Sequence, residues 1–86
     1  MSVYLNIFID QTKGIIIIPQ VFGIGGLLYD INSPEVLNNP YSFEELGMKT
    51  RRAFKVAKDN EKLRIRKEDA IDVYEIVTGV RSRKNL

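Results

Sequence analysis

The chain has 86 residues, a net charge of +2 and neither cysteine nor histidine. A chain of this length supports one hydrophobic core, so residues 1–86 are expected to form a single domain. Because the residue types that most often bind transition metals and act as general bases are missing, we expect a protein without a cofactor, a metal or an enzymatic activity.

Residues 1–31 are predicted to form mainly strands. Side chains typical of strands alternate along residues 3–9, and the turn sequence DQTKG then precedes four consecutive isoleucines at 15–18. This pattern predicts a hairpin, and because the isoleucines are apolar on both faces, the second strand is expected to be central in its sheet. Pro19 is expected to end that strand, and residues 27–31 are predicted to form a third.

The clearest element is a helix over residues 42–59. Ser42 is a good N-cap and Glu45 completes a capping box, while Tyr41 and Leu46 are spaced for a hydrophobic staple. The residues predicted to face the core recur at helical spacing: Phe43, Leu46, Thr50, Ala53, Phe54 and Ala57. The basic residues of the helix are expected on its opposite side.

Shorter elements are expected on both sides of this helix. Ser33 fits the cap of a one-turn helix over residues 34–37, and residues 62–66 alternate as a short edge strand with outward cations. A second helix is predicted over 68–78, with Gly79 as its C-terminal stop and residues 80–86 as a basic tail.

These elements predict an α+β fold, in which an antiparallel sheet begun by the N-terminal hairpin carries two main helices. The helix residues expected to meet the sheet are Phe43, Leu46, Phe54, Ile71, Tyr74 and Ile76. Their expected partners in the sheet are Leu5, Ile7, Ile16 and Ile18. No apolar run approaches the roughly 20 residues of a membrane span, and no positive charge precedes the first apolar stretch, so we expect a cytoplasmic protein.

Charge divides the chain in two. Residues 1–46 carry one positive and five negative charges, a net of −4, and residues 47–86 carry twelve positive and six negative charges, a net of +6. The acidic half offers a candidate surface for a basic partner around Tyr41, made of Asp30, Glu35, Glu44 and Glu45. Capping and solubility are the alternative explanation of these carboxylates.

The basic half offers a second candidate surface that could follow a phosphate backbone. Its residues are Lys49, Arg52, Lys55, Lys58, Arg64 and Arg66. The alternative explanation is a solvated helix face, because aromatic residues do not interleave with these cations as they do in proteins that bind single strands.

The segments YSFEELG, MKTRRAFKVAKDN and TGVRSRKNL resemble the small bacterial immunity proteins of contact-dependent growth inhibition systems. The resemblance implies a non-catalytic cytoplasmic protein that binds and neutralises the C-terminal toxin domain of a cognate exported effector, in many systems a nuclease. It implies no membrane and no small-molecule substrate. For such a protein, the division of charge along the chain predicts that the toxin binds the acidic residues around Tyr41. The alternative is a small nucleic-acid-binding or regulatory protein that uses the basic C-terminal half.

Overall fold

A computed structural model describes residues 3–10, 14–63 and 65–79. The strands are β1 (Tyr4–Asp10), β2 (Gly14–Phe22), β3 (Leu28–Asp30) and β4 (Glu35–Leu37). The helices are α1 (Phe43–Asp59) and α2 (Val73–Thr78), with a 3-10 turn at Lys67–Asp69 between them. The four strands form one antiparallel sheet, which confirms the predicted α+β fold and its N-terminal hairpin.

Strand β2 is the centre of the sheet, as its four isoleucines predict. It pairs with β1 along its first seven residues, from Gly14 opposite Asp10 to Gln20 opposite Tyr4. On its other side it pairs first with β4 and then with β3. An apolar strand covered on both faces and paired on both edges has little contact with water, so β2 holds most of the buried side chains.

The prediction that Pro19 ends this strand is wrong, because β2 continues to Phe22. Pro19 lies opposite Leu5, and its carbonyl accepts a hydrogen bond from the Ile31 amide at 2.8 Å. The amide and carbonyl of a strand residue point to the same side of the strand. The Pro19 nitrogen, which carries no hydrogen, therefore faces Ile31 just past the end of β3 and does not face β1. The ladder between β1 and β2 therefore loses no hydrogen bond at Pro19, and β2 continues beyond this residue.

The two helices pack on opposite faces of the sheet. On one face Ile15, Ile17 and Leu37 form a buried cluster with Ala53 of α1. On the other face Ile16 and Ile18 form a second cluster with Val73 of α2. Because successive strand residues point to opposite faces, the isoleucine run supplies a core to both helices at once.

The start of α1 has the predicted capping box. The Glu45 amide donates to the Ser42 hydroxyl at 3.1 Å, and the Ser42 amide donates to the Glu45 carboxylate at 3.0 Å. Tyr41 and Leu46, the predicted staple pair, both pack against the Ile15 and Ile17 cluster. The entry of the chain into α1 is therefore fixed by hydrogen bonds on one side and apolar packing on the other.

Ser42→Ala tests this cap. We expect the free energy of unfolding to fall by about 1 kcal/mol, because the Glu45 amide in the first turn loses the hydroxyl to which it donates. For a chain of this size, that loss lowers the melting temperature by about 5 °C. The measurement is urea and thermal unfolding followed by circular dichroism. Ser33→Ala, at an exposed serine outside any helix, is the matched control, and an equal effect of both changes would contradict the capping role.

Several predicted boundaries need correction. Residues 35–37 form β4 and not a one-turn helix, because Glu35, Val36 and Leu37 find backbone partners on β2. Within residues 62–66 the structure describes every residue except Arg64, and the described residues do not form the predicted strand. The Ile65 carbonyl there accepts a single hydrogen bond from the Ile24 amide, at 3.0 Å.

The second helix begins later than predicted. Glu68 and Asp69 lie in the 3-10 turn, and α2 starts at Val73 after the N-cap Asp72, whose side chain accepts from the Glu75 amide at 3.1 Å. Because the Asp72 side chain bonds to the backbone and caps α2 at this point, the residues before Asp72 stay outside the helix although their apolar spacing is helical. Gly79 ends α2 in the left-handed conformation, as expected. The predicted tail at 80–86 lies outside the described residues.

Several residues that were predicted to lie in the core are exposed in the structure. Leu46, Tyr74 and Leu5 pack on the sheet clusters, and Ile16 and Ile18 are buried, as expected. The remaining predicted core residues are exposed: Phe43, Phe54, Ile71, Ile76 and Ile7. The buried residues of α1 are the alanines Ala53 and Ala57, so only a narrow stripe of the helix meets the sheet and larger side chains beside it remain in water.

Candidate functional site

The acidic residues around Tyr41 do not form one surface. Asp30 lies opposite Gln20 and contacts α2, whereas Glu35 lies opposite Ile17 and contacts α1. The two carboxylates are therefore on opposite faces of the sheet. A single partner surface meeting both of them would have to reach around an edge of the sheet.

Asp30 and Glu35 also have partners within the chain. Asp30 accepts from the Gln20 side chain at 2.8 Å and from the Val73 amide at 3.1 Å, so it joins β2, β3 and the start of α2. Glu35 lies 3.4 Å from the Lys49 ammonium and 3.8 Å from the Arg52 guanidinium, which joins β4 to α1. Both carboxylates hold secondary structure together, which sequence spacing alone does not reveal.

The other three predicted residues, Tyr41, Glu44 and Glu45, do meet at the start of α1, and Phe43 lies among them. We call these four residues the helix-start surface. Tyr41 is half-buried against the core, whereas Phe43 is 89% exposed. The exposed aromatic residue of this surface is thus Phe43, where the sequence pattern pointed to Tyr41.

Sequence reasoning missed Phe43 because its spacing from Leu46 places both on one predicted face. Three residues of helix rotate the chain by about 300°, so Phe43 lies about 60° away from Leu46 around the axis. The narrow buried stripe through Ala53 and Ala57 does not extend that far. The small size of these alanines is the signal in the sequence that predicts a narrow stripe.

The predicted basic surface is largely made of ion pairs. Lys49 and Arg52 contact Glu35, and Lys55 contacts Asp59 at 3.1 Å, four residues along α1. Arg66 contacts Asp69 at 3.2 Å and Glu68 at 3.7 Å. Lys58 is exposed in the last turn of α1, and Arg64 lies outside the described residues. Lys49, Arg52, Lys55 and Arg66 thus face carboxylates of the same chain, which lowers the positive potential available to phosphates.

A second exposed apolar region lies beside α1. The pairing of Lys49 and Arg52 with Glu35 turns one side of α1 toward β4, so its other side, which carries Phe54, turns toward β1. On this face of the sheet, Ile7 is 49% exposed and Ile9 is 76% exposed. Exposed phenylalanine and isoleucine side chains near a strand edge are typical of surfaces that bind other proteins.

Comparison with protein-family models, with curated proteins and with solved structures finds no match to this chain. In the described part of the chain, neither helix has the length and apolar character that crossing a bilayer requires. The function must therefore be argued from the helix-start surface, the ion pairs and the sequence motifs.

Proposed function

We propose that this chain is a cytoplasmic immunity protein that binds the C-terminal toxin domain of a cognate contact-dependent growth inhibition effector and neutralises it by occlusion. The motif YSFEELG, one of the three segments that carry the resemblance to such proteins, includes the helix-start surface. The observation that carries the proposal is Phe43, an aromatic residue that is 89% exposed at a fixed helix start.

Phe43 has the properties of a binding anchor. A phenylalanine transferred from water into a partner's pocket contributes about 1.5–3 kcal/mol from apolar burial. Because the capping box at Ser42 and Glu45 fixes the first turn, little conformational freedom is left to lose on binding. Aromatic residues with these properties dominate the affinity of many protein interfaces.

The charges beside Phe43 fit a nuclease toxin. Glu44 and Glu45 are exposed in the first turn of α1. A nuclease binds phosphates with cations, so carboxylates that surround an aromatic anchor are complementary to its substrate site. Occlusion of that site stops the toxin without any chemistry in the inhibitor, which agrees with a chain that lacks histidine and cysteine.

The alternative, a small nucleic-acid-binding or regulatory protein that uses the basic half, is less well supported. Lys49, Arg52, Lys55 and Arg66 already contact carboxylates. To bind phosphates, each must exchange that contact, which reduces the gain in binding free energy.

A pull-down from the native bacterium separates the two functions. The tagged chain is used as bait, and the washes contain about 0.5 M salt, at which interactions between exposed charges are largely screened. We expect one C-terminal fragment of a large exported protein to remain bound and to be identified by mass spectrometry. Recovery of nucleic acid that is released at this salt concentration, with no protein retained, would overturn the proposal.

Phe43→Ala tests the anchor with the recovered toxin fragment. We expect the dissociation constant to rise by roughly 30-fold, equivalent to about 2 kcal/mol, in isothermal titration calorimetry. Folding stability should change by less than about 0.5 kcal/mol, because the side chain is already in water. The matched control is Ile76→Ala, an exposed apolar residue on α2 across the sheet. Unchanged toxin affinity in Phe43→Ala would exclude Phe43 as the anchor.

A further inference from the structure

Strand β1 has an open edge. It pairs with β2 on one side, and no other described strand pairs with its second side. An open edge presents backbone amides and carbonyls that another strand can bind. The chemistry of this edge therefore selects an extended strand as its partner.

The position of Pro19 identifies which backbone groups of β1 face outward. The Pro19 carbonyl points away from β1, toward Ile31. Pro19 and Leu5 are therefore a non-hydrogen-bonded pair of the ladder, and such pairs alternate with bonded ones. It follows that the amides and carbonyls of Leu5, Ile7 and Ile9 point to the open edge, and those of Asn6 and Phe8 point to β2.

The side chains of β1 do not protect this edge. Natural edge strands are usually blocked by lysine, proline or inward charges, whereas Tyr4–Asp10 contains one charge, Asp10, at its end. The side chains of Leu5, Ile7 and Ile9 share the α1 face, and those of Ile7 and Ile9 are exposed.

We propose that two copies of this chain pair through β1, antiparallel about a two-fold axis at Ile7. In this register Ile7 lies opposite Ile7 of the second copy, and Leu5 lies opposite Ile9. All three residues have outward backbone groups, so the pairing forms about six interchain hydrogen bonds. The two sheets become one continuous sheet.

Self-complementarity identifies a second copy as the occupant of this edge. Every residue on the α1 face of the pairing is apolar, so Ile7 and Ile9 are covered by equivalent side chains. The two Asp10 carboxylates lie at opposite ends of the paired strands, about 20 Å apart, and do not repel across the ladder. A two-fold interface requires a patch that complements itself, and this strand meets that requirement.

The dimer is inferred from β1 and does not involve the helix-start surface. Phe43 lies on α1 and not on β1, and the pairing uses only the edge and the α1 face of β1. The inference is thus independent of the proposed immunity function, and it stands or falls on the purified chain alone.

Sedimentation equilibrium of the purified full chain tests the dimer. We expect a concentration-dependent dimer, and Ile7→Lys should raise its dissociation constant by roughly 100-fold, since two buried isoleucines are lost and two cations meet at the axis. Ile9→Lys, at a more exposed position, is a second variant that keeps the test valid if Ile7→Lys fails to fold. Ile24→Lys, an exposed isoleucine outside the regular strands, is the matched control and should dimerise normally.

Amide hydrogen exchange identifies the interface. In the dimer, we expect slow exchange at Leu5, Ile7 and Ile9, which becomes fast on dilution to monomer, while Asn6 and Phe8 stay slow in both states. A wild-type chain that is monomeric at its highest soluble concentration would overturn the inference. So would a dimer whose amides at Leu5, Ile7 and Ile9 exchange fast, or one that withstands both lysine substitutions.

Discussion

Gly14→Ala is expected to lower the free energy of unfolding by about 3 kcal/mol or more. Gly14 begins β2 with φ at 113°, a conformation that other residues adopt only with strain. A Cβ at this position would collide with the Leu37 carbonyl oxygen and lie 2.9 Å from the carbonyl carbon. Those atoms belong to the backbone at the end of β4, so they cannot move aside as a flexible side chain can.

The size of this effect follows from the small total stability of the domain. A chain of this length has a free energy of unfolding of about 4–13 kcal/mol. Strain at a positive φ accounts for roughly 1–2 kcal/mol, and displacement of β4 from Ile15–Ile17 accounts for the rest. A loss of about 3 kcal/mol is therefore a large part of the total, and we expect the midpoint of urea unfolding, followed by circular dichroism, to fall markedly.

Gly25→Ala separates strain from collision. Gly25 also has a positive φ, 93°, but a Cβ there meets no atom within 4 Å. Its substitution should destabilise the chain by only about 1 kcal/mol, the backbone contribution alone. If the two variants lose the same stability, the collision with the Leu37 carbonyl contributes nothing to the loss, which would contradict the close contact of β4 with Gly14.

The elements that sequence reasoning predicted well are those fixed by local interactions. The box at Ser42 and Glu45 needs only residues three apart, and the hairpin needs only alternation around a short turn. Strand β4 and the start of α2 were missed because each depends on distant partners. Residues 35–37 become a strand by pairing with β2, and α2 begins where Asp30, 43 residues earlier, accepts from Val73.

The candidate site was predictable in part for the same reason. The helix-start surface lies within one local segment, so its position could be predicted from Tyr41, Glu44 and Glu45. The exposure of Phe43 depends on how α1 is rotated on the sheet, which is set by Ala53 and by the contact of Lys49 with Glu35. The ion pairs that neutralise the basic half are likewise partly long-range.

Ile17→Ala is expected to lower the free energy of unfolding by about 4 kcal/mol. Ile17 is fully buried beneath α1, and removal of three carbons from such a site costs both the apolar transfer energy and the cavity that remains. Ile24→Ala, at an exposed isoleucine, is the matched control and should change stability by less than about 0.5 kcal/mol.

Ile18→Ala should be milder than Ile17→Ala, at about 2–3 kcal/mol, although both side chains are fully buried. The reason is the partner on each face. Ile17 packs in a cluster with Ala53 of a 17-residue helix, which cannot shift locally, whereas Ile18 packs in a cluster with Val73 of a six-residue helix. A short helix can move into the space that the Ile18 side chain leaves, which makes the cavity smaller. The loss in free energy of unfolding decreases with the volume of the remaining cavity. Urea titration of both variants measures the difference; a larger loss in Ile18→Ala would mean that α2 is the more rigid cover.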